Sequence, residues 1–542
     1  MKKLIFILLF LSSCGYFIQS IDDSAQAVLK LNTKKLSLVF SHNINGETHP
    51  CGCRHHPLGG LPQVAGKMHE IKQANQIFYV DTGDTLFDNV EVPKTLVRSQ
   101  EYKARTIVQG LEKLGLQLFT PGDQDFANGA NFLRQLQSEN KLPVFVSNLL
   151  SKDLFKYHKK YQIIENGPHK LFFMAVLDPV LIRDKRISLK FEEPITAIPK
   201  AINDLERMGY SSSDPFHRLI LMSHAGYDKD KILAEKFPQI DWLIGAHSQS
   251  FFRKARKIGQ TNMVQVLSRN HYLGEIQFDF TGNKTKDKYL IHEMRDEVKD
   301  KLKPNPFIAF IDEHKAKLKK IQSDEQDLML AEYDKNKKVF PFETAASCLE
   351  CHEEQAKFWQ GTAHSLAYVT LQKAKEENNL SCIKCHALGT NDPRGFASVK
   401  NIIKFNKDFV KEHEVAKQRK KYWNQLNASL SMTKSVRETS SSERVKVSNK
   451  WMKHDEKFKI SHNFANVQCL NCHSKDPDHP FESVKSTMNA DQLYKSMKKA
   501  CIGCHTSDQS PEWYEKNNKG LATKLNELVL VEKMKKVACP KK

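Results

Sequence analysis

No stretch of this chain stays apolar for the ~20 residues that a membrane-spanning helix requires. The apolar run at its start, Leu4 to Leu11, is much shorter. Cysteine is scarce outside one repeated pattern: eight of the 12 belong to it, leaving Cys14, Cys51, Cys53 and Cys539. So few scattered thiols exclude a dense disulfide framework. Negative charge is also in short supply, with 63 acidic against 83 basic residues and a formal net charge of +20. A basic chain invites a nucleic-acid reading, but the N-terminus has the form of an export leader, so no nucleic-acid partner is expected. Most of the excess is read as solvated, Lys-rich surface. The remainder would attract an acidic partner protein or anionic lipid. At 542 residues there is room for two or three domains with their own cores.

Met1-Lys2-Lys3 is basic, Leu4 to Leu11 is apolar, and Leu11-Ser12-Ser13-Cys14 closes the run. That order suits a secretory signal rather than a span. The closing tetrapeptide resembles the bacterial lipoprotein cleavage box. The resemblance implies that Cys14 becomes the first residue and carries acyl chains, and two such chains suffice for stable membrane attachment. Residues 1–14 are therefore expected to be a signal peptide and 15–35 a tether. The expected location is the periplasm or cell surface of a bacterium, as a membrane-anchored lipoprotein.

The repeated pattern is Cys-x-x-Cys-His, at Cys348–His352, Cys382–His386, Cys469–His473 and Cys501–His505. Chance would give about 0.01 such matches in a chain of this composition. Each is a haem c attachment signature: two thiols add across the haem vinyl groups and the His binds iron from one face. The attachment set is Cys348, Cys351, Cys382, Cys385, Cys469, Cys472, Cys501 and Cys504. His352, His386, His473 and His505 are the proximal ligands, and four covalently bound haem c are expected. Their propionates would cancel on the order of 4–8 positive charges.

Trp359-Gln360-Gly361-Thr362-Ala363-His364 lies between the first two motifs, Val467-Gln468 precedes the third, and Thr506 and Ser510-Pro511 follow the fourth. Residues 341–515 resemble the multihaem cytochrome c family typified by the tetrahaem cytochromes of nitrifying bacteria. The resemblance implies that His364, from a Trp-containing helix, is an axial ligand. His479 and His462 are the next candidates for sixth ligands, with His454 and His413 behind them. Bis-His ligation throughout would make low-spin electron carriers, whereas an open iron would allow small-molecule redox chemistry.

Upstream, from residue 36 to 285, short apolar runs alternate with amphipathic stretches. The expected strands are Leu36–Phe40, Ile77–Asp81, Leu116–Phe119, Pro143–Val146, Leu171–Val176, Leu219–Met222, Trp242–Ile244 and Met263–Leu267. Helices are expected over Pro62–Gln73, Pro93–Lys113 and Gly129–Ser138. Several strands end in polar or Gly-rich turns, the place where open α/β sheets hold ligands. Asp81-Thr82-Gly83-Asp84, Pro121-Gly122-Asp123-Gln124-Asp125, Ser223-His224-Ala225-Gly226 and Gly245-Ala246-His247-Ser248-Gln249 follow in that order. With Pro50-Cys51-Gly52-Cys53 and Gly59-Gly60-Leu61, they resemble the metallophosphoesterase domain of the periplasmic 5′-nucleotidase family, which also includes a sulfur-oxidation thiol esterase. The implied fold is a two-sheet α/β sandwich flanked by helices.

That resemblance also implies two metal positions. One would be built from Asp84, Asp123, His224 and His247, a donor set suited to Zn, Mn or Fe. The other would need Asn43, Asn45, Asp84 and Gln249, of which three are neutral amides and poor ligands. Gln124 stands where the family has a proton-carrying His. One divalent ion and lost or strongly reduced nucleotidase activity are therefore expected. Cys51 and Cys53 form a candidate thiol site near the eroded position; a soft-metal site, a redox dithiol and free structural thiols all stay open.

Residues 286–340 turn charged, with a helix over Pro306–Ala331, and are expected to be a helical connector. Residues 341–542 are expected to form a mainly α, haem-packed cytochrome domain in the place of the family's substrate domain. The leading expectation is an electron-transfer lipoprotein carrying a degenerate phosphoesterase domain. The alternative is a phosphoester or sulfur-ester hydrolase coupled to haem redox chemistry, and a third is a pure binding module.

Overall fold

The computed structural model describes residues 28–540 except 34, 51–56, 141, 152–154, 156–157, 183–188, 336–341, 350, 391, 393, 431–434, 474–489, 508 and 517–521. Cys14, Cys51, Cys53 and His479 lie outside the described residues. The chain forms two compact units that divide between Lys315 and Ala316.

Two sheets stack in the first unit. One has five strands in the order Lys288–Glu293, Tyr272–Gln277, Leu36–Ser41, Gln76–Asp81, Leu116–Phe119. The other has seven, ordered Val28–Leu31, Tyr161–Asn166, His169–Leu177, His217–His224, Trp242–Gly245, Thr261–Val264, Arg256–Ile258. Both faces of each central strand are buried, so these strands are apolar nearly throughout. Period-two geometry then sorts the side chains. Leu36, Leu38, Phe40, Phe78, Val80, Leu171, Phe173 and Ala175 meet between the sheets. Val39 and Tyr79 face the helices Leu61–Lys72, Val97–Leu114 and Ala130–Asn140. Phe172, Met174 and Val176 face Pro194–Arg207 and Tyr227–Lys236 on the opposite side. The result is a helix–sheet–sheet–helix sandwich. Local signals set the helix ends: Pro opens Pro194–Arg207 and Pro306–Lys335 and is second in Leu61–Lys72, and Gly115, at φ 83°, ends Val97–Leu114 in the left-handed region.

Four expectations are corrected. Val28–Leu31 is not tether but an edge strand, parallel to Tyr161–Asn166; its four residues were too few to show a period. The 36–285 domain and the 286–340 connector are bounded wrongly. Lys288–Glu293 completes the five-stranded sheet, with Tyr289 stacked on Phe40, and the start of helix Pro306–Lys335 packs Phe307 and Ile311 against Leu61 and Ala65. Pro143–Val146 makes only isolated bridges, through Val144 and Phe145. The strand expected over Met263–Leu267 stops at Val264, and Leu267 takes φ 73°.

The second unit is built from short helices with two two-stranded ribbons, Ile403–Phe405 with Ile460–Asn463 and Tyr514–Lys516 with Ala522–Leu525. Leu366, Tyr368, Ile383, Ile403, Tyr422 and Trp451 belong to its apolar core. The C-terminal basic stretch, where fraying would be the expectation beyond Glu532, is helical from Glu527 to Val537.

In the first unit one ion pair is sealed from water. Arg218 Nε donates to Asp287 Oδ2 at 2.8 Å, and both side chains are at most 2% exposed. Trp242 Nε1 and the Asp279 N–H also donate to that carboxylate. Asp287→Ala would strand the guanidinium, and a loss of ~3–5 kcal/mol is expected in denaturant unfolding. A loss below about 1 kcal/mol would show that water reaches and solvates Arg218.

Candidate functional site

Strands Leu36–Ser41, Gln76–Asp81 and Leu116–Phe119 run parallel, as do His217–His224 and Trp242–Gly245. Their C-terminal ends deliver Asn43, Asp84, Asp123, His224 and His247 to one place. Asp84, Asp123, His224 and His247 each offer a ligand atom, and those atoms lie within 4.8 Å of one another. His224 Nε2 is 3.3 Å from Asp84 Oδ1 and 3.2 Å from Asp123 Oδ1. His247 Nδ1 is 2.9 Å from Asp123 Oδ1. His224 Nδ1–H donates to the Thr82 carbonyl at 2.7 Å. That bond turns Nε2 toward the carboxylates, as the outer partners of metal-binding histidines do.

The electrostatics favour positive charge. Burial alone would lower the pKa of His224, but Asp84 and Asp123 raise it well above the usual histidine value. Burial would raise Asp123, but hydrogen bonds and charge from His224 and His247 hold it well below the usual carboxylate range. Two carboxylates set against two imidazoles thus make a centre that favours positive charge. The four residues fit a divalent cation in number, donor type and burial.

The loops are held by strained backbone and close contact. Asn43, Asn45, Asp84, His247 and Gln249 all have positive φ, between 48° and 65°. For residues other than glycine this costs about 1 kcal/mol or more each, and it persists only where surroundings enforce it. Asp125 enforces part of it: its carboxylate accepts from the N–H groups of Asp84, Thr85, Leu86 and Gly122 at 2.8–2.9 Å. A Cβ on Gly122 would overlap the Asp84 carboxylate and the His224 ring.

Sequence reasoning assigned no role to His42, Thr82 or Asp125. His42 is buried, and burial lowers its pKa to about 4. Its Nδ1 lies 2.8 Å from Asn43 Oδ1. Asn45 Oδ1 and Gln124 Oε1 are buried without a hydrogen-bond partner among the described residues.

In the second unit each Cys-x-x-Cys-His motif occupies a helical turn or the end of a helix. The N–H groups of His352, His473 and His505 close on the carbonyls of Cys348, Cys469 and Cys501 at 2.8–3.0 Å. Helix Leu380–His386 contains the second motif. One turn brings thiols i and i+3 to one side of the helix. Cys348 contacts Cys469, and Cys385 contacts Cys504, each pair by a thiol hydrogen bond. The motifs therefore meet first with third and second with fourth.

The histidine nitrogens are arranged for ligation. His386 Nδ1–H donates to the Ala367 carbonyl at 2.6 Å. His505 Nδ1 lies 2.8 Å from Ser510 Oγ, and its ring stacks on Trp513 at 4.1 Å. The bond to the Ala367 carbonyl leaves His386 Nε2 with its lone pair for a metal, while the Ser510 hydroxyl can pair with His505 Nδ1 as donor or acceptor. Burial lowers His505 to about 4 and also lowers His364 and His386, so all three are neutral donors at pH 7. The His364 and His505 ring centroids are 6.4 Å apart. His462 lies on the Ile460–Asn463 strand with its ring over Phe464. His454 is buried, and its Nε2 is 3.0 Å from the Tyr422 carbonyl. His413 is exposed, as is Cys539.

Residues 347–408 match the family described as cytochrome c554 and c-prime. The bovine 5′-nucleotidase is 22% identical over 255 residues, covering 42% of this chain and 42% of the relative. The human 5′-nucleotidase is 21% identical over the same length and coverage. The chain thus spans about two-fifths of the length of these curated relatives. Among solved structures, the Thermus thermophilus sulfate thiohydrolase SoxB aligns with TM-score 0.44 and 13% identity, over 53% of this chain and 61% of that one. A Thermus thermophilus 5′-nucleotidase precursor aligns with TM-score 0.41 and 18% identity, over 49% and 55%.

Gly122→Ala is expected to lower divalent-metal affinity at least tenfold in a calorimetric titration, and to lower the melting temperature as well, because its Cβ would meet the Asp84 backbone N besides the two ligand side chains. Unchanged affinity would show that Asp84 and His224 are not the ligands. The chain joins a 5′-nucleotidase-like metallophosphoesterase domain in its N-terminal half to a helical C-terminal region that matches a cytochrome c domain.

Proposed function

We propose that this protein transfers electrons through four covalently bound haem c groups and is held by a lipid on Cys14 at a bacterial periplasmic or cell surface. In this reading the N-terminal domain keeps the phosphoesterase fold and one divalent ion but not the family's hydrolysis. The observation that carries the electron-transfer reading is the His364–His505 pair. Two imidazoles on opposite sides of one metal, at about 2 Å per metal–nitrogen bond, place their centroids about 6 Å apart. Their 6.4 Å separation fits that arrangement. Cys501, Cys504 and His505 would hold one haem, and His364 would be its sixth ligand.

Haem bound there supplies one-electron chemistry. The chain's own residues set its terms. Ser510 pairs with His505 Nδ1 and Trp513 stacks on the ring; with haem bound, His505 and His364 would both be spent as ligands, which would leave no position for substrate. Cys348, Cys351 and His352, Cys382, Cys385 and His386, and Cys469, Cys472 and His473 would hold the other three.

No helix among the described residues is long and apolar enough to cross a membrane, and the proposed attachment rests on the leader sequence. Lys411, Lys417, Lys420 and Lys421 are exposed on and beside helix Val415–Ser429. They supply a surface for an acidic redox partner, with association that weakens as salt rises.

The Asp84, Asp123, His224 and His247 cluster favours a second reading, a metal-dependent phosphoester or sulfur-ester hydrolase whose product feeds the haems. Metal-dependent phosphate release from nucleoside monophosphates would select it. Under the leading proposal, His364→Ala converts one haem from low to high spin in the EPR spectrum and leaves haem content unchanged. An unaltered spectrum would remove His364 from the ligand set.

A further inference from the structure

The Asn43 side chain is completely buried and completely hydrogen-bonded. Its orientation follows from its neighbour. The Val266 N–H donates to His42 Nε2 at 2.8 Å, so that nitrogen carries a lone pair. The proton of this neutral ring therefore sits on Nδ1, which donates to Asn43 Oδ1 at 2.8 Å. The His247 N–H donates to the same oxygen at 3.1 Å. With its oxygen fixed by two donors, the amide must present its NH2 group on the other side. There Nδ2 donates to Asp84 Oδ2 at 3.3 Å and to the His247 carbonyl at 3.4 Å.

The backbone admits no easy rotation. The Asn43 N–H donates to the Gly83 carbonyl at 2.7 Å, and its carbonyl accepts from the Arg269 N–H at 2.7 Å. Flipping the amide to offer its oxygen would break all four side-chain bonds. It would also press that oxygen against Asp84 Oδ2 and the His247 carbonyl, and it would turn NH2 toward two donors.

We propose that the Asn43 amide takes the place of a second metal ion, so that this centre holds one divalent cation on Asp84, Asp123, His224 and His247. The N–H of Asn43 supplies to Asp84 Oδ2 the positive partner that a second ion would supply. Asn45, whose Oδ1 has no hydrogen-bond partner among the described residues, adds only a neutral oxygen. The domain is thus fixed as a one-ion centre by a hydrogen-bond network, not only by missing ligands. Two-ion hydrolysis, which clamps attacking and leaving oxygens between metals, has no second clamp here. The inference rests on the four-residue cluster being a metal centre, and the test separates the two claims.

Full-length protein is equilibrated with excess Mn²⁺, freed of unbound metal, and assayed for manganese per chain by elemental analysis. The wild type is expected to hold one. The double variant Asn43→Asp, Asn45→His is expected to hold two, with the isolated-ion manganese EPR signal replaced by that of a coupled pair. Two ions in the wild type would overturn the one-ion inference and leave the metal centre standing. No bound manganese in the wild type would overturn both. A folded double variant that still holds one would overturn the assignment of Asn43 as the excluding group. If that variant does not fold, the wild-type ratio alone decides.

Discussion

The Asp125 carboxylate ties together the two strand-end loops that carry Asp84 and Asp123. It accepts four backbone N–H groups, three from the turn after Gln76–Asp81 and one from the turn after Leu116–Phe119. Those donors belong to buried residues, and leaving any one of them unpaired would cost about 1–3 kcal/mol. Burial nonetheless pushes Asp125 up to about 7. The group sits between two demands, desolvation favouring its acid and four donors favouring its anion. The left-handed backbone at Asp84 persists because this anchor over-determines it. The cation-seeking cluster is thus a consequence of loop geometry that one carboxylate enforces.

A parallel logic runs through the second unit. A Cys-x-x-Cys-His turn places two thiols and one imidazole by local geometry alone. Long-range packing must supply everything beyond that turn. Ala367 orients His386 from 19 residues upstream, while Ser510 and Trp513 orient His505 from the loop that follows it. His364 reaches His505 across most of the unit's sequence. The two units therefore share a principle: short motifs present ligands, and distant backbone or side-chain groups fix which nitrogen points inward.

Much of this is legible in the sequence. Apolar runs such as Leu171–Val176 and Trp242–Ile244 gave strands because central strands buried on both faces have little room for polar residues. The four strand-end motifs pointed to Asp84, Asp123, His224 and His247 through their resemblance to the 5′-nucleotidase family, and strand C-termini are also where such sheets hold ligands. Val28–Leu31 escaped notice because an edge strand of four residues carries almost no pattern. Lys288–Glu293 escaped because its alternation is masked by Lys and Glu on an edge, where charge is an asset. The fate of Asn43 was illegible for a different reason. Its identity suggested a weak ligand, but its orientation depends on which His42 nitrogen accepts from Val266, a contact 224 residues away. The sequence ranks His364 ahead of His454 as a sixth ligand; His454 bonds the Tyr422 carbonyl, while His364 lies beside His505.

The proposed module of four haem c groups would share its chain with a 5′-nucleotidase-like fold. Denaturing mass spectrometry of the intact protein tests it most directly, because thioether-linked haem survives unfolding. The expected mass exceeds that of the processed chain by four haems, with no haem released into solvent. Three or fewer attached haems, or haem lost on denaturation, would contradict it.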